Sequence, residues 1–251
     1  MTHNDYQKEN YNNNFAQFYN KYLTGQARKY GSFISSFLKE QGIVTGKIID
    51  IMCGTGNLLI QFEKNNWETY GLDISKDMLD IAQQNLSKTT LLQTDVTDFQ
   101  INTKFQAAVS TADAFNHLEK LSDIEKAFKN IYNLLVNSGY FIFDMNTPLG
   151  IKSNNFYISS SDEDGMSIRE GFVDEIHKVG FTRFQGAFRL NKDSQYLRFD
   201  STIYNYCHDI PEIKEKLLSI GFKTVDIMDD YSYDKWDPKH SKRVLFICRK
   251  Y

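Results

Sequence analysis

Ile48-Ile-Asp-Ile-Met-Cys-Gly-Thr-Gly-Asn57 is an apolar run that ends in an acid and a two-glycine turn, with a helical pattern behind it. That order reads as a strand feeding a helix through a loop where only backbone is present, which lets a nucleotide-like ligand come close to the chain. Asp50 falls near the carboxyl end of the strand and faces the same crevice. A second acid, Asp73, ends the next apolar segment, Tyr70-Gly-Leu-Asp-Ile-Ser75. It lies close to the roughly 20 residues downstream at which a ribose-binding carboxylate is expected. Loop and acids together predict a site for an adenosine ligand.

Working outward, strands and helices alternate. A strand over about 47 to 52 leads to a helix near 57 to 65, and a strand over 68 to 73 leads to a helix that Ser75 can cap, with Met78, Ala82 and Leu86 on one face. Leu91-Leu-Gln93 is a short third strand and Phe105–Ser110 a fourth. Ser122-Asp-Ile-Glu125 has capping-box spacing and predicts a helix with Ile124, Phe128, Ile131 and Leu135 inward, closed near Gly139. Tyr140-Phe-Ile-Phe-Asp144 is apolar enough to be a strand buried on both faces. Such alternation gives a parallel sheet with right-handed crossovers and helices on both sides.

Two amphipathic helices precede this core, one through Phe15, Phe18, Tyr19, Tyr22 and Leu23, the other through Tyr30, Phe33, Ile34, Phe37 and Leu38. After Pro148 the rhythm changes. Segments 167 to 178, 181 to 190 and 195 to 206 are strand-like and joined by turn residues, an antiparallel meander. A helix capped by Asp209 and stopped at Gly221 follows, then strands over 222 to 228 and 243 to 248.

A dinucleotide fingerprint needs a third glycine for close helix packing, and Leu59 occupies that place. In the form D-x-M-C-G-T-G-N, with Asp73 and a further acid in Gln93-Thr-Asp-Val96, the chain resembles the class I S-adenosylmethionine-dependent methyltransferases. One departure is Met52, where the family often has glycine. Tyr11-x-x-x-Phe15-Ala16-x-x-Tyr19 resembles the opening segment that folds over the cofactor in many small-molecule methyltransferases, and the meander is similar to the one that roofs the pocket in sugar-amine N-methyltransferases. The resemblance implies an α/β fold, a Rossmann-like seven-stranded sheet with helices on both faces and a small inserted antiparallel β-meander. It divides the chain into an N-terminal helical lid (1–45), a cofactor-binding domain (46–150 and 209–251) and a substrate roof (151–208). It also implies S-adenosyl-L-methionine as cofactor, held by Tyr11, Tyr19, Asp50, Cys53, Gly54, Thr55, Gly56, Asn57, Asp73, Ile74, Met78, Asp95, Val96 and Thr111.

Methyl transfer from a sulfonium is an in-line displacement, so the protein's task is to hold the nucleophile roughly 3 to 3.5 Å from the methyl carbon in a dry site and to take up a proton. Candidates belong at the carboxyl ends of the fourth and fifth strands or in the roof. His117 is the best-placed base, with Asp144 second. Asn116, Asn146, Tyr204 and His208 are candidate substrate contacts, and Asp113 shares the segment after the fourth strand. No D/N-P-P-Y/F tetrapeptide follows that strand, no P-loop is present, and the scattered His and Cys residues lack metal-ligand spacing.

At 251 residues and 41% hydrophobic content the chain can bury one large core with an inserted subdomain. Three distant cysteines, a polar opening at Met1–Asn10 and no apolar run approaching ~18 residues predict a reduced, cytoplasmic protein. A net charge of −3 without a basic stripe disfavours nucleic acid and favours a small metabolite, methylated at N or O by a monomer or homodimer with no membrane partner. Competing readings are RNA or protein methylation, a nicotinamide-dependent oxidoreductase, and a cofactor-binding protein without catalysis.

Overall fold

Apolar residues alternate along the central strands, so each strand presents one row to either side and both faces must be covered. The computed structural model describes residues 11–251; the polar opening Met1–Asn10, and with it the start of the predicted lid, lies outside the described residues. Strands β1 (Lys47–Ile51), β2 (Glu68–Asp73), β3 (Thr90–Gln93), β4 (Phe105–Ser110) and β5 (Leu135–Asn146) run parallel. With β10 (Thr224–Asp229) and β11 (Arg243–Arg249) they form a seven-stranded sheet in the order β10-β11-β5-β4-β1-β2-β3, in which β11 runs antiparallel between its neighbours.

Ile49, Ala108, Phe141, Phe143 and Phe246 point to one face, where Ile124, Phe128 and Ile131 of α5 (Leu121–Leu134) and Ile213 and Leu217 of α7 (Ile210–Ile220) close over them. Their neighbours Ile48, Ala107, Val109, Ile142 and Leu245 point the other way, under Ile34 and Leu38 of α2 (Gly25–Glu40) and Leu58 and Phe62 of α3 (Asn57–Lys64). Each fully buried Phe or Ile here contributes on the order of 1.5–3 kcal/mol of hydrophobic stabilisation.

The helix-start signals act at two sites. The Ser75 hydroxyl accepts from Met78 N at 3.2 Å to open α4 (Lys76–Asn85), and Asp209 accepts from Glu212 N at 2.9 Å to open α7. At α5 the outcome differs from the spacing: the helix begins at Leu121, the cap position is Lys120 with no side-chain bond, and Ser122 lies inside the first turn. It also ends early, at Leu134, and β5 starts in the next residue. Gly139 is therefore a strand residue, where a Cβ would come within 2.9 Å of the Val136 carbonyl, and the β4–β5 register shifts beside it.

A second sheet, in the order β6-β7-β8-β9, is built from β6 (Phe156–Asp162), β7 (Gly165–Asp174), β8 (Val179–Phe188) and β9 (Leu197–Tyr206), all antiparallel and inserted after the short helix α6 (Pro148–Lys152). Strand β6 is absent from the predicted meander. It is an exposed edge paired only to β7, so neither face imposes an apolar alternation. The inner face of this sheet packs on α1 (Asn13–Tyr22): Phe18 stacks on Phe199 at 4.1 Å and Phe15 meets Phe184 edge-on at 5.4 Å. Met78 and Ile81 of α4 join the same apolar cluster. No helix among the described residues is long and apolar enough to cross a membrane.

Candidate active site

The loop between β1 and α3 leaves the sheet by three left-handed residues, Met52 (φ +59°), Gly54 (+52°) and Gly56 (+74°). Glycine adopts this region freely, whereas a residue with a side chain carries a cost of about 1–2 kcal/mol. Met52 therefore keeps the backbone shape that a glycine would give, with strain in place of freedom. The two glycines differ in use. A Cβ on Gly56 would lie 2.5 Å from Leu86 Cδ1, so that glycine lets the loop pack on α4. A Cβ on Gly54 would meet nothing within 4 Å; it opens into a crevice between the loop and the N-terminal helices.

The crevice is lined by the loop from Met52 to Thr55 with Asn57, by Asp50 beneath, by Thr111 and Ala112 beyond β4, and by Tyr19 and Tyr30 from the two N-terminal helices. Tyr19, Asp50, Cys53, Gly54, Thr55, Asn57 and Thr111 thus line one crevice. Asp73 stands beside the loop, taking Gly54 N at 2.8 Å on one oxygen and Ser75 N at 2.9 Å on the other. Asp50 is 3% exposed and has no hydrogen-bond donor among the described residues. Burial first, and the Asp73 charge second, push its carboxyl well above the ordinary range, and burial raises Asp73 as well. Tyr19 is pushed up to about 12 by burial and then by the carboxylate of Asp113. A buried, unpartnered acid next to an open glycine cradle suits a cationic ligand with a nucleoside part, and S-adenosylmethionine fits these groups.

Other expected cofactor positions are turned to packing. Met78 lies under α1, Val96 is 5% exposed in the main core, and Ile74 is half-buried with its carbonyl bonded to Gln93. Asp95 accepts both the amide and the hydroxyl of Thr97 at 2.8 Å.

His117 ends a 3₁₀ turn, Ala114–His117, directly after β4. Its Nδ1 lies 2.8 Å from the Tyr204 carbonyl, which can only accept, so the proton is assigned to Nδ1 and the lone pair to Nε2. Nε2 faces the Tyr11 phenol at 3.4 Å, and the Tyr11 carbonyl accepts from the Ser75 hydroxyl at 3.1 Å. His117 therefore sits where Tyr11, strand β9 and the cap of α4 meet. Tyr204 enters through its carbonyl; its ring pairs with Phe181 on the face of the roof sheet opposite to Phe184.

Three expected roles are corrected. Asp144 is fully buried and its two oxygens receive Ala112 N (2.9 Å), Asp113 N (2.6 Å), Tyr231 Oη (2.6 Å) and Arg243 Nη1 (2.6 Å). Its acceptor capacity is filled, so it is no general base. Asn116 is likewise fully buried, giving its amide to the Asn146 and Tyr206 carbonyls and accepting Asn146 N at 2.9 Å, which makes it a brace rather than a substrate contact. His208 is buried, donates Nε2–H to the Leu118 carbonyl at 2.8 Å and is kept neutral by burial. Asn146 bonds Asn205 at 3.2 Å on the roof and remains partly exposed.

Several residues of the site carry no local sequence signal. Asn20 of α1 accepts from both Asn57 (2.8 Å) and Asn85 (2.9 Å), and these bind Thr55 in turn, so a polar knot fastens the lid helix to the glycine loop. Arg243 and Tyr231 come from the far end of the chain. Burial opposes the charge on Arg243, but the carboxylates of Asp113 and Asp144 outweigh it and hold the guanidinium protonated.

A methyltransferase-domain family profile matches residues 48–139. The Bacillus subtilis protein YqeM, provisionally named a methyltransferase, is 27% identical over 94% of this chain and 96% of its own length. A dTDP-3-amino-3,4,6-trideoxy-alpha-D-glucopyranose N,N-dimethyltransferase of Streptomyces venezuelae is 29% identical over 51% of this chain and 56% of its own. Among solved structures, an S-adenosylmethionine-dependent methyltransferase from Clostridium acetobutylicum superposes with a TM-score of 0.81 at 25% identity, covering 94% of this chain and 97% of that one.

Proposed function

The chain is a class I S-adenosylmethionine-dependent methyltransferase, similar to the sugar-amine N-methyltransferases, and from that premise we propose that it methylates the nitrogen of a small-molecule amine, with His117 receiving the proton. S-adenosylmethionine supplies the reaction with a methyl group already activated on a sulfonium. Asp50 would pair with a cationic part of that cofactor, Asp73 would accept ribose hydroxyls, and the bare backbone at Gly54 would leave room for the methionine portion. Tyr19, Cys53, Thr55, Asn57 and Thr111 complete the wall.

The observation that carries the acceptor assignment is the imidazole of His117. Its Nδ1 proton is assigned to the Tyr204 carbonyl, which makes Nε2 the accepting nitrogen, facing the Tyr11 phenol in the segment that follows Thr111 and Ala112 of the crevice. An amine must present its own neutral lone pair to the methyl carbon, and the product nitrogen sheds one proton. A neutral imidazole accepts that proton without needing to activate a hydroxyl. The inserted antiparallel sheet packs on helix α1 beside the crevice, and a cover of that kind over the site would suit a small acceptor. The sugar-amine relative supports the same class.

A panel of small amines and their hydroxyl analogues, followed by release of S-adenosylhomocysteine, tests the reading. Amines alone are expected to turn over. In His117→Ala, kcat is expected to fall about 10²-fold, at the low end for a general base, while S-adenosylhomocysteine still binds within about twofold of the parent. Turnover of hydroxyl analogues alone, or an unchanged kcat in His117→Ala, would sink the assignment.

A further inference from the structure

Ala112 and Asp113 are consecutive residues with side chains, and both are left-handed, at φ +64° and +52°. Such strain persists only where the surroundings over-determine it, and it clusters at functional sites. Here the determinant is visible. Successive amides in a left-handed turn point the same way and make a cradle for an anion, and the anion in this cradle is the Asp144 carboxylate, bonded to both amides. Arg243 reaches Asp144 with one arm at 2.6 Å and the Asp113 carboxylate with the other at 2.7 Å, so the same turn is gripped through backbone and side chain. Tyr231 fills the remaining acceptor site of Asp144 and stacks at 3.8 Å on Tyr30, a wall of the cofactor crevice.

The cluster is not needed to join its own strands. An antiparallel ladder from Arg243–Asn146 to Arg249–Tyr140 already zips β11 to β5. Two of the four donors to Asp144 come instead from the turn after β4, whose residues Thr111 and Ala112 line the crevice and which leads straight into the 3₁₀ turn bearing His117.

We propose that Asp144, clamped by Arg243 and Tyr231, is the positioning residue of the methyl-transfer site: its carboxylate holds the Ala112–Asp113 turn in the left-handed shape that faces Thr111 and Ala112 into the cofactor crevice. This concerns the cofactor wall and stands whichever acceptor is used.

Calorimetric titration with S-adenosylhomocysteine tests it. Asp144→Asn puts an amide donor against the turn's own donors, and binding is expected to weaken about tenfold, the equivalent of one strained residue no longer held. Adding Ala112→Gly to that variant lets the turn adopt its shape without the carboxylate, and affinity is expected to return to within about threefold of the parent. Parent-like binding in Asp144→Asn overturns the proposal. So does a double variant that binds no better than the single one, as a purely structural role for Asp144 requires. Should Asp144→Asn fail to fold, Ala112→Gly in the otherwise unaltered chain decides: elsewhere this change lowers Tm, here the released strain is expected to leave Tm level or raise it, and a fall of several degrees overturns the proposal.

Discussion

At the scale of single residues, Asp50 and Gly54 illustrate a site that trades stability for binding. A carboxyl whose folded pKa lies above its unfolded value of about 3.9 binds more protons in the folded state. Stability therefore declines as pH rises from about 4 through the raised folded pKa, and it is not regained above it. Asp50, raised well above the usual range, follows this sign. Asp50→Asn is expected to raise the Tm of the cofactor-free protein at neutral pH by about 2–4 °C, the shift that about 1 kcal/mol produces in a chain of this size. It should also flatten the pH dependence of Tm and weaken S-adenosylmethionine binding; a lower Tm would show that the acid is satisfied in the fold. Gly54→Val places a branched side chain in the open crevice at a left-handed position. Calorimetry is expected to detect no cofactor binding, with a stability loss held to about 1–2 kcal/mol. Both residues were legible in the sequence because an acid and a glycine at a strand end have a local geometric meaning. Arg243 was not: in sequence it closes the basic run Lys239–Arg243, and only the fold carries it inward to Asp113 and Asp144.

Helix α1 shows what an element adds to its residues. Helix α1 has an apolar stripe that its spacing predicts, but its docking on the glycine loop rests on Asn20, which holds Asn57 and Asn85 together. Asn20→Ala removes two hydrogen bonds worth about 1 kcal/mol each. It is expected to raise the KM for S-adenosylmethionine about fivefold to tenfold and to speed amide exchange across Asn13–Tyr22, with exchange in the central sheet unchanged. Unaltered exchange in α1 would mean that the aromatic contacts alone hold the lid. Element boundaries were legible where a cap has a chemical partner, as at Ser75 and Asp209. They were not at α5, because a capping-box spacing matters only if the chain enters the helix at that residue, and with Ile124 and Phe128 packed against the sheet the cap falls two residues earlier, at Lys120. Strand β6 escaped for a related reason: an edge strand exposed on both faces has no apolar period to read.

Across the whole molecule, the antiparallel sheet, helix α1 and α4 share one apolar cluster, so the inserted sheet and the wall of the crevice are mechanically one body. Phe18→Ala is expected to destabilise the protein by about 3 kcal/mol through the cavity it leaves against Phe188 and Phe199, and to lower kcat/KM for both substrates together. A loss confined to one substrate would separate the two pockets. By itself the sequence determined the strand–helix alternation, the glycine loop with its two acids, the inserted meander and the position of His117 after β4. These follow from periods and spacings of a few residues, which the backbone's own geometry converts into structure. Only the tertiary structure decided which of the candidate polar groups are spent inside the fold. Asp144, Asn116 and His208 sit as well in the sequence as His117 does, yet their hydrogen-bonding capacity is consumed by donors and acceptors 30 to 100 residues away. Satisfaction of a buried polar group depends on everything the fold brings around it, and a spacing of a few residues carries no information about that.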